Sequence, residues 1–346
     1  MNNIRESVLI VGDFSGVGIN LLNELKSNGF KVRLITDGDG YKSINQANKF
    51  SWILKFPIGR YIFLILTAIR SILSKYNYVI FVTPYVLKGP AWLCGIANKL
   101  ILKRAKKSVF LACGSDAIWW NYKNKNAERT AHNGFIKDLN GSPHRFSKKN
   151  YEIVNRNLAD SVDKIIGLGF EYISCYEVAG YKIEYCGFPI SQDFEAAELD
   201  FKLMKKKFCY HGITRPGFKG SEELINLMQA NENWGYSELI TEKISFSSFK
   251  KNLMQSAIYL DQWSSFGPAM AALEALKYCP VVITSFQPEF SNKRYVENCP
   301  VIDPVQASNN PDLVYELLSN HEAISKARKF LSEFHSPSLL VSSILK

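Results

Sequence analysis

Short apolar runs alternate along the chain with longer segments in which apolar positions recur every three to four residues. The runs Ser7–Val11, Lys31–Thr36, Val79–Thr83, Ser108–Ala112, Lys164–Leu168 and Ile183–Cys186 read as strands. Between them, Val17–Asn28 (closed by Gly29), Pro90–Lys106 and Glu171–Ala179 read as helices. Near-continuous apolar runs separated by helical periodicity predict βαβ units with right-handed crossovers and a mostly parallel sheet. Residues 190–206 form a charged connector, and the rhythm resumes at Lys207. There a lead-in from Phe208 to His211 precedes a Gly- and Pro-rich turn and a helix starting at Ser221. An Ala-rich helix follows later and feeds the strand Val281–Thr284. A last helix is expected from about His321 to Phe334. The pattern predicts an α/β protein with two units: residues 1–189, residues 190–320, and a closing helical segment over 321–346.

Composition changes this picture little, whereas charge changes it more. The 346 residues are 47% hydrophobic, enough to bury two cores. Seven cysteines without a C-x-x-C pair fit a reducing, cytoplasmic compartment. No stretch approaches the roughly 18 apolar residues of a membrane-spanning helix. Residues 1–190 carry a net +12 and residues 191–346 a net −2. In the basic half, Phe50–Lys75 mixes Trp52, Phe56, Tyr61 and Phe63 with Lys55, Arg60, Arg70 and Lys75, and Leu100–Lys107 adds four more cations. Apolar residues beside such cations suit peripheral attachment to an anionic membrane surface. They suit nucleic acid less, because the aromatics lie inside apolar runs and not on polar strands that stack bases.

Two turns carry anion chemistry. Tyr210–Ile225 (YHGITRPGFKGSEELI) sets Arg215, Lys219 and Gly220 after a strand, a forked guanidinium and a point-charge ammonium able to clamp a diphosphate. Asp261–Thr284 (DQWSSFGPAMAALEALKYCPVVIT) runs a small-residue loop, including Gly267, Pro268 and Ala269, into a helix beginning near Met270 and carrying one acid, Glu274. Free amides at such a start bind phosphate, and an acid one to two turns later accepts ribose hydroxyls.

Together these segments resemble the donor half of GT-B glycosyltransferases of the large retaining family 4 type. The resemblance implies two Rossmann-like domains with parallel sheets facing across a cleft. It implies a diphosphate gripped by Arg215, Lys219 and Gly220 with the amides of Gly267 to Met270, and a ribose held by Glu274. The family often has a second Glu where Phe266 stands here. Gly114-Ser115-Asp116 resembles a turn facing the cleft, with Cys113 in place of the family's His, leaving Asp116 either to meet an acceptor hydroxyl in catalysis or to cap the next helix. A nucleotide-sugar donor, most simply a UDP-sugar, a glycan or lipid-linked glycan acceptor in surface-polysaccharide synthesis, and no cofactor or metal are the expectations that follow.

The rival is the amino terminus. Gly12 to Gly18, with Gly16, Val17 and Gly18 opening a helix, has the GxxxGxG spacing of short-chain dehydrogenases, and Asp37 ends the next strand. Yet no Tyr has a Lys four residues on. The same loop, with His211 in the second half, fits a cleft near donor phosphates or acceptor. An NAD(P)-dependent oxidoreductase and a nucleotide-binding protein without turnover stay open as alternatives. Asp37-Gly38-Asp39 reads as a turn, and the five His residues lack metal-ligand spacing.

Overall fold

A computed structural model describes residues 6–36, 42, 65–66, 69–85, 90–114, 116–125, 148–194, 206–214, 216–263, 266–288, 291–320 and 322–346. Arg215, Ser115, Ser264, Ser265, Asp37 to Asp39, the aromatic part of Phe50–Lys75 and the His residues at 132, 144 and 321 lie outside them. The described chain forms two compact units. One holds the residues up to Tyr122, those from Lys148 to Pro189, and Pro337–Lys346; the other holds Ile190–Ser336 together with Lys123 to Lys125, the last residues of a helix that is otherwise in the first.

The first unit contains β1 (Ser7–Val11), α1 (Val17–Ser27), β2 (Lys31–Ile35), β3 (Tyr76–Phe81), α2 (Ala91–Leu102), β4 (Ala105–Ala112), α3 (Ala117–Lys125), α4 (Lys149–Ala159), β5 (Lys164–Leu168), α5 (Phe170–Val178) and β6 (Glu184–Cys186). The strands make one six-stranded sheet in the order β2-β1-β3-β4-β5-β6, every neighbouring pair parallel. Val8, Leu9, Ile10 and Val11 are fully buried, as expected of a strand covered on both faces. The helix expected over Pro90–Lys106 stops at Leu102, and Lys106 and Lys107 belong to β4. Pairing of Ala105 with Tyr76 and Lys107 with Tyr78, and the bond from Tyr76 N–H to the Arg104 carbonyl, satisfies backbone groups that a frayed helix end leaves open.

The second unit contains β7 (Phe208–Ile213), α6 (Pro216–Lys219), α7 (Ser221–Gln229), β8 (Ser237–Glu242), α8 (Phe246–Met254), β9 (Ser256–Leu260), α9 (Met270–Ala275), β10 (Val281–Ile283), α10 (Lys293–Asn298), α11 (Pro304–Asn309), α12 (Asp312–Ser319) and α13 (Ala323–Phe334). Its parallel sheet runs β10-β9-β7-β8 over a core that includes Leu224, Ile258, Leu260, Val281 and Val314. The closing segment forms two helices where one was expected. α13 lies in the second unit, and α14 (Pro337–Leu345) lies in the first, where it packs against α1 and β6. Pro337 divides them, since it has no N–H to continue a helix and biases the residue before it to extended backbone.

Both sheets have a switch point, where successive connections leave a strand in opposite directions. It falls between β1 and β3 in the first sheet and between β7 and β9 in the second. Ligands of open α/β sheets bind outside the carboxyl ends of strands at such points. The glycine turn after β1 and the Lys219 turn after β7 both stand there.

Candidate functional site

In the second unit the chain after β7 makes one short helical turn, α6, and reverses at Gly220 before α7. Gly220 has φ +65, and a Cβ there would come 2.5 Å from the Cβ of Trp263. Only glycine allows both the left-handed backbone and that approach. The Trp263 N–H donates to the Lys219 carbonyl at 2.8 Å, and the Lys219 ammonium reaches Asp261 Oδ1 at 2.6 Å. Asp261 also accepts the Tyr259 hydroxyl at 3.2 Å, and its N–H bonds to Ile283 of β10 at 2.9 Å. The turn after β7 is therefore stitched to the loop after β9. Asp261 is fully buried, and its Oδ2 has no hydrogen-bond partner among the described residues.

His211 is a strand residue of β7, not part of a loop. It is fully buried, with Nδ1 2.9 Å from the Leu260 carbonyl and Nε2 2.9 Å from Ser221 Oγ. A carbonyl only accepts, so Nδ1 carries the proton and Nε2 accepts from the Ser221 hydroxyl. Burial, followed by the Lys219 ammonium, lowers its pKa to about 4. A neutral imidazole thus ties the start of α7 to β9, and it has no free edge for a ligand.

The loop from Phe266 to Ala269 is anchored where the Gln287 N–H donates to the Phe266 carbonyl at 3.2 Å. Ala269, the N-cap of α9, is extended and makes no side-chain cap bond. The first amides of the helix, from Met270 on, consequently find no carbonyl within it. Gly267 is not required for space, since a Cβ there would come no closer than 3.9 Å to Phe286. Glu274, one turn on, is buried, and Oε1 lies 2.7 Å from the Lys277 ammonium. Burial pushes the Glu274 carboxyl up, and Lys277 opposes that push.

Lys277, beside Glu274, is a residue that the sequence did not single out. It is fully buried, 2.8 Å from Asp193 Oδ1 and 3.1 Å from Ser191 Oγ as well as beside Glu274. Burial raises the Asp193 carboxyl, but Lys277, Ser191 and Lys250 together bring it down to about 2. The i,i+3 spacing of Glu274 and Lys277 was a legible signal. Asp193, 84 residues away, gave none.

In the first unit, Gly12 has φ +89 and a Cβ there would come 2.4 Å from Thr83 Cγ2. The Gly18 N–H donates to Asp13 Oδ1 at 2.8 Å, and the Val17 N–H to the Phe14 carbonyl at 3.0 Å. Gly16, at φ +93, is the N-cap of α1. The chain's own buried carboxylate occupies this helix start. Asp116 is also buried: Oδ1 accepts the Trp119 N–H at 2.9 Å, the N-cap bond of α3, and Oδ2 accepts the Tyr176 hydroxyl at 2.7 Å. Burial raises it to about 6 against these bonds. Of the two roles left open for Asp116, capping is the one it performs here. Gly16 to Gly18 and Asp116 belong to the first unit, and Lys219, Gly220, Gly267 to Met270 and Glu274 to the second. Among the described residues no cluster of His, Cys, Asp and Glu is arranged to hold a metal.

No protein-family model matches this chain, and no curated protein sequence matches it. Solved structures do. An alpha-glucosyltransferase in complex with UDP and a 13-mer DNA matches with TM-score 0.60 and 11% identity over 99% of this chain and 100% of that one. Sucrose-phosphate synthase from Thermosynechococcus elongatus matches at 0.57 and 9% over 99% and 98%. Anabaena HepE, solved with UDP and glucose, matches at 0.53 and 11% over 99% and 98%. The fold is that of these glycosyltransferases: two Rossmann-like domains, each on a parallel sheet.

Proposed function

We propose that this chain is a glycosyltransferase that moves a sugar from a nucleoside diphosphate sugar, with retention at the anomeric carbon. The donor is a UDP-sugar, and the acceptor is a lipid-linked oligosaccharide or related glycan in surface-polysaccharide synthesis. One observation carries the reading. The Lys219 turn is joined through Asp261 and Trp263 to the loop that leads to Glu274, beside the switch point of the second sheet, where ligands of open α/β sheets bind. Structures of this fold solved with UDP support the choice of donor.

Chemistry follows from charge. As the sugar bond breaks, negative charge grows on the departing diphosphate. Lys219 keeps further N–H donors beyond the one bonded to Asp261, and with the first amides of α9 it stabilises that charge. Arg215 is assigned to the same task by the sequence resemblance. Glu274, with the Lys277 ammonium 2.7 Å from its Oε1, accepts the two ribose hydroxyls. In the first unit Asp13 already fills the amide that a dinucleotide phosphate would need, which argues against the oxidoreductase. No metal is assigned a role.

Titration of the purified chain with UDP, GDP, ADP and NADPH, without added metal, tests this. UDP binding that disappears in Glu274→Gln is the expected result; preferential binding of NADPH overturns the proposal.

A further inference from the structure

We infer that the outward face of α2, with the helical residues just before β3, is a docking surface for an anionic phospholipid bilayer. The inward face of α2 is committed to the core through Ala91, Cys94, Ala97 and Ile101. On the opposite face Trp92 is 66% exposed, Ile96 50% and Leu100 38%. Lys99 and Lys103 are exposed on the same stripe, one and two turns along. The same pattern recurs in the preceding crossover. Leu66 is 60% exposed, Ile69 50% and Leu73 77%, with Arg70 exposed beside them.

Topology brings the two stripes together. From β2 to β3 and from β3 to β4 the chain moves in one direction across the first sheet. Right-handed crossovers therefore put both segments on one face of that sheet. Apolar side chains exposed in a row along a helix face mark an interaction surface.

Charge selects the partner. Between Asp39 and Asp116 the sequence has twelve Lys and Arg and no Asp or Glu. The neighbouring helix α4 does carry an acid, Glu152, but it is held by Arg156 at 2.9 Å. Aliphatic and indole side chains interspersed with the exposed cations Arg70, Lys99 and Lys103 match an interface of acyl chains and phosphate headgroups. A protein partner of ordinary composition has no need of so one-sided a field. The sequence placed the membrane contact in Phe50–Lys75 and Leu100–Lys107; the structure adds Trp92 and Ile96 and leaves Lys107 on a strand. The inference rests on the lipid-linked acceptor reading for its purpose, and its test is independent of nucleotide.

The test is flotation of the full chain with vesicles of phosphatidylglycerol and phosphatidylcholine, against vesicles of phosphatidylcholine alone. The expected result is binding to the anionic vesicles only, weakened by salt. Each of Lys99→Glu and Lys103→Glu should lower the partition coefficient by about fivefold or more, and Trp92→Ser with Ile96→Ser should abolish binding. Tryptophan emission quenched by brominated acyl chains, with the quenching lost in Trp92→Phe, places the indole in the bilayer. These side chains are exposed, so unchanged UDP affinity in the same variants separates lost docking from lost fold. Absence of wild-type binding to anionic vesicles overturns the inference. So do equal binding by all variants, and a self-association removed by Trp92→Ser in a protein that ignores vesicles, which would assign the face to a second copy of the chain.

Discussion

The turn after β1 and the turn after β7 look alike in sequence and differ in what they leave open. Each follows an apolar strand, contains a left-handed glycine and begins a helix at a sheet switch point. In the first, the carboxylate of Asp13 accepts the Gly18 N–H and the Phe14 carbonyl takes the N–H of Val17. In the second, no side chain caps α7, and the charged group at the turn is a cation, Lys219, held by a carboxylate from the loop after β9. In the first turn the chain's own carboxylate takes a helix-start amide, whereas in the second its carboxylate pairs with a cation and the start of α7 keeps no side-chain cap. That difference is the one on which the proposed donor site in the second unit rests.

Removing the cation should break the comparison most. Lys219→Met is expected to lower kcat/KM by about 10²–10³-fold, the range for losing one preorganised donor to developing charge. It also strands Asp261, at about 3 kcal/mol. Lys219→Met with Asp261→Asn should recover the stability and not the activity, read by thermal melts beside sugar-transfer assays. Equal activity in the double variant and the wild type would remove Lys219 from the site.

A smaller effect sharpens the contrast. Gly12→Ala and Gly220→Ala both force a Cβ into contact at positive φ, and each should cost about 1–3 kcal/mol. Only Gly220→Ala should also weaken UDP binding, by about tenfold, because the neighbour it displaces is Trp263. Matching UDP affinities in the two variants would show that the turns do not differ as described.

The smallest effect is a pH dependence. Burial holds His211 at about 4, below its ordinary 6.5, so the unfolded chain binds a proton in this window that the native chain does not. Stability from this group is present above pH 6.5 and is lost as pH falls towards 4, in all about 3 kcal/mol. Denaturant titrations of wild type and His211→Asn should show a stability difference that shrinks over that interval. Asp116, raised to about 6, acts in the opposite sense across the same range, which is why the comparison must be made against the His211 variant and not from the wild type alone.

Much of the second unit was legible because its signals are local. Gly220 before Ser221, with Glu222 and Glu223 in the first turn, marks a helix start in any context, and Glu274 in an Ala-rich helix announces itself as a lone acid. The lead-in Phe208 to His211 puts His211 at the edge of the turn, because an apolar run does not reveal where a strand ends. Two more paired residues of β7, Gly212 and Ile213, settle that.

The amino-acid sequence by itself determined the alternation of strands and helices, the two-unit α/β class and the position of the glycine turns, because periodicity and backbone permissiveness act within a few residues. Only the tertiary structure decided that Lys219 faces Asp261, that Lys277 joins Glu274 to Asp193, and that Asp13 closes its own turn with Gly18. A buried charge needs a partner to offset desolvation. The sequence does not say which residue 42 or 84 positions away will be brought within 3 Å.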